Sequence, residues 1–167
     1  MALPEFPCIL VEFESPVDSI AEFLTVWNSE RPSTDYVLVS KNAIQSNEQS
    51  WTAWLKMKRN SDRGDMLARS KDVEFIRLLA GTHHIDQAFK RAGLAQGDQS
   101  AWLVYLPEGI DELDNETEAI IESFGWNKTA SRPSINQQGM ESLGIESLSG
   151  DLESDLLIHV VSADITQ

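Results

Sequence analysis

The chain has 167 residues, 41% of them hydrophobic and 24% charged. That is the composition of a soluble globular domain able to bury about two thirds of its unfolded surface. No segment approaches the roughly 20 apolar residues that cross a bilayer, and a lone cysteine, Cys8, excludes an internal disulfide or a thiolate metal cluster. A formal charge of −14 argues against a nucleic-acid partner for the surface as a whole.

In chain order, the start MALPEFPCILVEFES lacks a basic n-region, so no secretion signal is expected and the chain is assigned to the cytoplasm. Cys8–Phe13 reads as a first strand, mostly apolar and ended by Glu14-Ser15-Pro16. Cys8 is expected to act as a small buried side chain. Ser15 is placed to cap a helix with Pro16 at its first position. Ile20, Phe23, Leu24 and Trp27 form an apolar stripe along Val17–Asn28. After the break at Arg31-Pro32-Ser33, Tyr36–Val39 predicts a second, fully apolar strand. Asn47–Lys58 predicts a helix carrying Trp51, Trp54, Leu55 and Met57. The two tryptophans suit a core better than a base-stacking platform at this spacing. Arg59–Asp65 (RNSDRGD) reads as a polar loop.

Leu67–Gly93 then reads as helix, turn, helix. Val73, Ile76 and Leu79-Ala80 form one apolar stripe, with Lys71, Glu74 and Arg77 on the opposite side. Ser70 is placed as N-cap and Gly81 as the left-handed stop. Ile85, Ala88, Phe89 and Ala92 repeat at i, i+3, i+4, i+7 up to Gly93. Ala101–Leu106 is a third strand, stopped by Pro107, and Asn115 or Thr117 begins a helix ending at Gly125. An edge strand is expected near Ile135, and a short helix at Gln138–Leu143. Leu148–Ile165 has helical spacing at Leu152, Leu156, Val160 and Ala163, but LLIHVV has strand propensity. The alternation predicts an α/β (α+β) fold: a single domain over residues 1–167 with a small sheet flanked by helices.

Charge is unevenly placed. Lys41–Arg91 holds ten basic residues against six acidic ones, a net of +4, while the other residues hold three against twenty-one, a net of −18. A basic middle in an acidic body can bind a polyanion locally; solvated helix faces are the plainer explanation. Catalytic signatures are absent: no phosphate loop, HExxH or nucleophile elbow occurs. The adjacent His83 and His84 make a poor metal pair. A base role for either remains open, as does helix capping or exposure to solvent.

Ala68-Arg69-Ser70-Lys71-Asp72-Val73-Glu74, then Gly81-Thr82, Ile85-Asp86-Gln87-Ala88 and Gly93, carry a resemblance. They resemble the small regulatory subunit of the KEOPS complex, the family of PRPK-binding (TPRKB-like) proteins. The tryptophan-bearing helix, the Tyr36–Val39 and Ala101–Leu106 strands and Leu143-Gly144-Ile145 fit the same order of elements. The resemblance implies a small mixed sheet flanked by helices, with a helical C-terminal segment over Leu148–Ala163. It further implies a non-catalytic subunit that needs no cofactor and contacts no membrane. The implied partners are a PRPK-type atypical kinase/ATPase, indirectly the threonylcarbamoyltransferase, and the single-stranded 3′ CCA end of tRNA. Threonylcarbamoyladenosine synthesis is the implied process. Relatives often carry Arg-Gln after the turn glycine, where this chain has His83-His84.

A single-stranded end needs cations for phosphates and an apolar surface for bases. Lys41, Arg63, Arg69, Lys71 and Arg77 are the phosphate candidates, and Thr82, His83 and Ile85 the turn candidates. Leu152, Leu156 and Val160 are assigned to the kinase-facing surface, packing on the sheet being the alternative. Two other functions compete: a helix-turn-helix DNA-binding protein, and a small enzyme using His83 or His84.

Overall fold

Three segments, CILVE, YVLVS and SAWLVY, are apolar on both faces and must be paired and then covered on both sides. In the computed structural model, which describes residues 3–146 and 149–165, they form β1 (Cys8–Glu12), β2 (Tyr36–Ser40) and β3 (Ser100–Tyr105). A two-residue edge strand, β4 (Asn127–Lys128), completes the order β2-β3-β1-β4. The edge strand therefore sits upstream of the expected Ile135, where Val11 faces Lys128 and Glu12 faces Asn127.

The α/β class and the helical C-terminal segment hold. The sheet, expected to be mixed, is antiparallel at each pairing among the described residues. β3 inserts between β1 and β2, with Val104 opposite both Cys8 and Val37. β1 and β2, which run in the same direction, are thus never neighbours, a split βαβ arrangement.

Alternation along the strands divides the interior. Cys8, Leu10, Val37, Val39, Trp102 and Val104 point into the larger core. Burial pushes the Cys8 thiol up to about 11, which keeps it a neutral apolar group. Over this face lie α2 (Asn47–Arg63), α3 (Lys71–Ala80), α4 (Ile85–Ala92), α6 (Gln137–Ser142) and α7 (Leu152–Ser162). Trp51 and Trp54 belong to this core, 3% and 6% exposed, and meet edge to face at 5.3 Å. Their indole N–H groups donate to Pro4 and Pro107 carbonyls, each at 2.8 Å. Val11, Leu38, Ala101 and Leu103 point the other way, toward α1 (Ile20–Glu30) and α5 (Thr117–Phe124).

Three helix boundaries differ from expectation. The first helix is capped by Ser19, which accepts from Glu22 N, and not by Ser15. Val17 is held extended by bonds to Asp98 and Gly97 (2.9 and 2.7 Å), so helix cannot begin before it. The expected RNSDRGD loop is mostly helix: α2 continues to Arg63, because nothing breaks it until Gly64 takes φ +70°. A capping box at Ser46 and Gln49 secures its other end. The C-terminal segment is helical from Leu152; the proposed start at Leu148 lies outside the described residues.

Candidate nucleic-acid interface

The helix-turn-helix segment folds as read, but Glu74 and Arg77 of its polar stripe do not face water. α3 lies among α2, α4 and α7, so Asp72, Glu74 and Arg77 are buried together with Phe75 and Leu79. A charged group in such a place needs a complete set of partners. Arg77, fully buried, has an acceptor for each of its five N–H groups. Nε and Nη2 clamp Glu74 at 2.9 and 2.8 Å, and Nη2 also reaches Asp164 at 2.7 Å. Nη1 donates to the carbonyls of Thr82 (3.1 Å) and Ala163 (3.0 Å). Glu74 in turn accepts from Asn60 and from the Ala68 backbone. Burial raises the affinity of Glu74 for a proton, but the bonds from Arg77 and Asn60 outweigh it and hold the carboxyl below its usual range.

Arg77, assigned above to a phosphate, therefore cannot reach one. It is a strut that ties the α3–α4 turn to the C-terminal end of α7.

The turn is shaped by that attachment. Gly81 takes φ +64°, and a Cβ there would lie 2.5 Å from the His159 ring. His159 Nε2 sits 2.8 Å from the Leu143 carbonyl, and burial lowers its affinity for a proton. Thr82 is buried; its hydroxyl donates to Gln87 at 2.6 Å and accepts from His84 N at 3.1 Å, fixing the entry to α4. His83 Nδ1 meets the Ala163 carbonyl, and His84 is exposed. Arg91 donates to the Ala80 carbonyl at 2.9 Å and lies against Gly144. These groups surround a cleft of about 490 Å³ that also includes Ser162 and Ile165.

The structure distributes the candidate residues over three places. Thr82 and His83 line the cleft, with half-buried Ile85 beginning the helix beside it. Arg69 and Lys71 stand at the other end of α3, about 15 Å away by helical rise. Lys71 shares Glu108 with Lys58, at 3.4 and 3.0 Å, whereas Arg69 is exposed, as is Arg63 at the end of α2. Lys41 lines a separate cleft with Arg132 and Asn136. Ser70 occupies the N-cap position of α3, but its hydroxyl donates to Asp72 and caps no backbone N–H.

Arg91 and His159 of the cleft were not singled out by sequence reasoning. Arg91 shares a helix face with His84 and Ala88, a spacing that was available. His159 is brought in from 78 positions beyond Gly81, and only the glycine itself hinted at a close neighbour.

The kinase-facing assignment also changes. Leu156 and Val160 are fully buried and Leu152 packs against the same core, because this stripe attaches α7 to the body. The outward side of α7 shows Ile158 (60% exposed) and Val161 (46%), followed by Ile165 (61%). α4 exposes Asp86, Phe89 and Lys90, one acid and one base, which is not a row of base-reading donors. Among the described residues, no cluster of three or more His, Cys, Asp or Glu side chains could hold a metal ion. Likewise, no helix among them is long and apolar enough to cross a membrane.

No curated protein matches the chain. The family model of kinase binding protein CGI-121 matches residues 17–143, about three quarters of the sequence, from the approach to α1 through α6. This chain belongs to the CGI-121 kinase-binding family.

Proposed function

We propose that this protein is the small accessory subunit of a KEOPS-type complex, one domain that docks a PRPK-type kinase and holds the 3′ CCA end of tRNA. In that role it acts in the cytoplasm without chemistry of its own. It serves threonylcarbamoyladenosine synthesis, with the threonylcarbamoyltransferase reached through the kinase. The observation that supports the RNA half is Arg91: among the described residues no carboxylate pairs with it, and it opens onto a cleft beside Thr82 and His83. Arg69 and Arg63 supply further exposed cations along the approach, and Ile85 an apolar edge for a base. The kinase half rests on family membership, and the outward apolar side of α7 is its proposed contact.

Filter binding with full-length and CCA-trimmed tRNA tests the first half. Trimming should weaken binding by about tenfold or more, and Arg69→Glu with Arg91→Glu should abolish the difference. Equal binding of both RNAs would place the site elsewhere. Ile158→Asp with Val161→Asp should prevent co-purification of the kinase while leaving RNA binding intact.

A further inference from the structure

The sheet face away from the cleft carries a second concentration of side chains, packed on the smaller core yet partly open to solvent. Trp126 stands at the centre of a ring cluster, stacked on Phe124 at 4.4 Å and 14°, and on Phe23 at 6.3 Å and 11°. Phe13 tilts against it at 5.2 Å and Trp27 at 6.0 Å. Only Trp27 is fully buried; the other four rings remain partly exposed, and Val26 beside them is 53% exposed. They floor an open groove of about 380 Å³ between the start of α1 and the end of α5, a size that accommodates a side chain with its neighbours.

The rim is one-signed. Glu14, Asp18 and Glu22 are exposed along it, and no basic side chain lines the groove. Three carboxylates lining the same groove as the aromatic rings repel phosphates, so stacking of nucleic-acid bases is disfavoured. The same arrangement attracts a cation twice, through the carboxylates and through the negative faces of the rings. A guanidinium suits it better than an ammonium. It stacks on aromatic rings while its edge donates to carboxylates, and it is less strongly hydrated.

We propose that this groove takes an arginine side chain, flanked by apolar residues, from a basic segment of a protein partner. The surface is independent of the tRNA reading, since it lies on the opposite side of the sheet and uses no residue assigned there.

Titration of the whole chain with an alternating arginine–leucine pentapeptide, followed by Trp fluorescence and amide chemical shifts, tests the proposal. Binding should weaken with salt and shift Phe13–Phe23 and Phe124–Trp126, and a glutamine-for-arginine peptide should not bind. Neutralising the rim (Glu14→Gln, Asp18→Asn, Glu22→Gln) should weaken binding about tenfold. Neutralising Asp111, Glu112 and Asp114 instead changes net charge equally and should leave affinity within about twofold. Equal losses in the two triple variants, shifts mapping to other elements, or no binding by the wild-type chain would each overturn the proposal. So would sedimentation showing that the groove is instead closed by a second copy of the chain.

Discussion

α7 lies alongside α2, and its two ends are held by opposite electrostatics. At the C-terminal end, Arg77 with Glu74 and Asp164 forms a network in which each guanidinium hydrogen has an acceptor, and Asn60 and Lys56 close the remaining positions. At the N-terminal end, Ser46 donates to Glu153 Oε1 at 3.0 Å and Ser149 to Asp155 Oδ1 at 2.6 Å. No donor among the described residues reaches Glu153 Oε2 or Asp155 Oδ2, although both are buried. Burial and the neighbouring Glu48 push the Glu153 carboxyl above its usual range despite the bond from Ser46. The same residue type thus stabilises one end of a helix and strains the other. The difference is whether a cation was buried with it.

Removing that cation should have the largest effect. Arg77→Ala leaves Glu74 and Asp164 without their main partner and should cost about 3–5 kcal/mol by urea unfolding. If the loss is below about 1 kcal/mol, the network does not hold the helix.

A smaller loss is expected where the turn touches the middle of α7. Gly81→Ala combines a positive φ with a Cβ placed 2.5 Å from His159, so about 1–3 kcal/mol should be lost. Shortening the neighbour (His159→Ala) should recover the steric part but not the backbone part, a separation that a double-mutant cycle reads directly.

The smallest effect, with the opposite sign, belongs to the N-terminal end. A carboxyl whose folded pKa lies above its unfolded value near 4.5 loses stability as pH rises through that window. Glu153→Gln should therefore stabilise at pH 7, by up to about 1 kcal/mol, and the gain should vanish below pH 4 or so. Glu74 and Asp164 work in reverse. Their folded pKa values are depressed, so their contribution is complete above about pH 4.5 and is lost as acid protonates them. Unfolding midpoints from pH 3 to 8 should show a steep acid limb that Glu153→Gln leaves in place.

Much of the architecture was legible because local signals agreed with one another. CILVEF, YVLV and AWLVYL were strands for want of any polar face, and Gly81 and Gly125 stopped helices where expected. What failed was inference about sides. Lys71, Glu74 and Arg77 fall three apart and read as a solvated stripe, yet Glu74 and Arg77 face Asn60 and Asp164 from elements 14 and 87 positions away. A charged stripe that will be covered by a later helix looks the same in one dimension as one that will not. Leu156 and Val160 failed for the converse reason: an apolar stripe says that something is covered, not whether a partner or the body covers it. The candidate interface was legible as a segment, Thr82 to Ile85, but not as a site, because Arg91 and His159 enter it through packing.

The insertion of β3 between β1 and β2 has a consequence for the protein while it is being made. Both early strands have β3 as their main partner, and β3 ends at Tyr105. On a ribosome, the chain must emerge as far as Tyr105 before either apolar strand can pair with β3. Until then CILVE and YVLVS present open edges able to pair with other chains. Folding of the sheet thus waits on the synthesis of β3, and the nascent chain should depend on chaperone cover in a way the finished molecule does not.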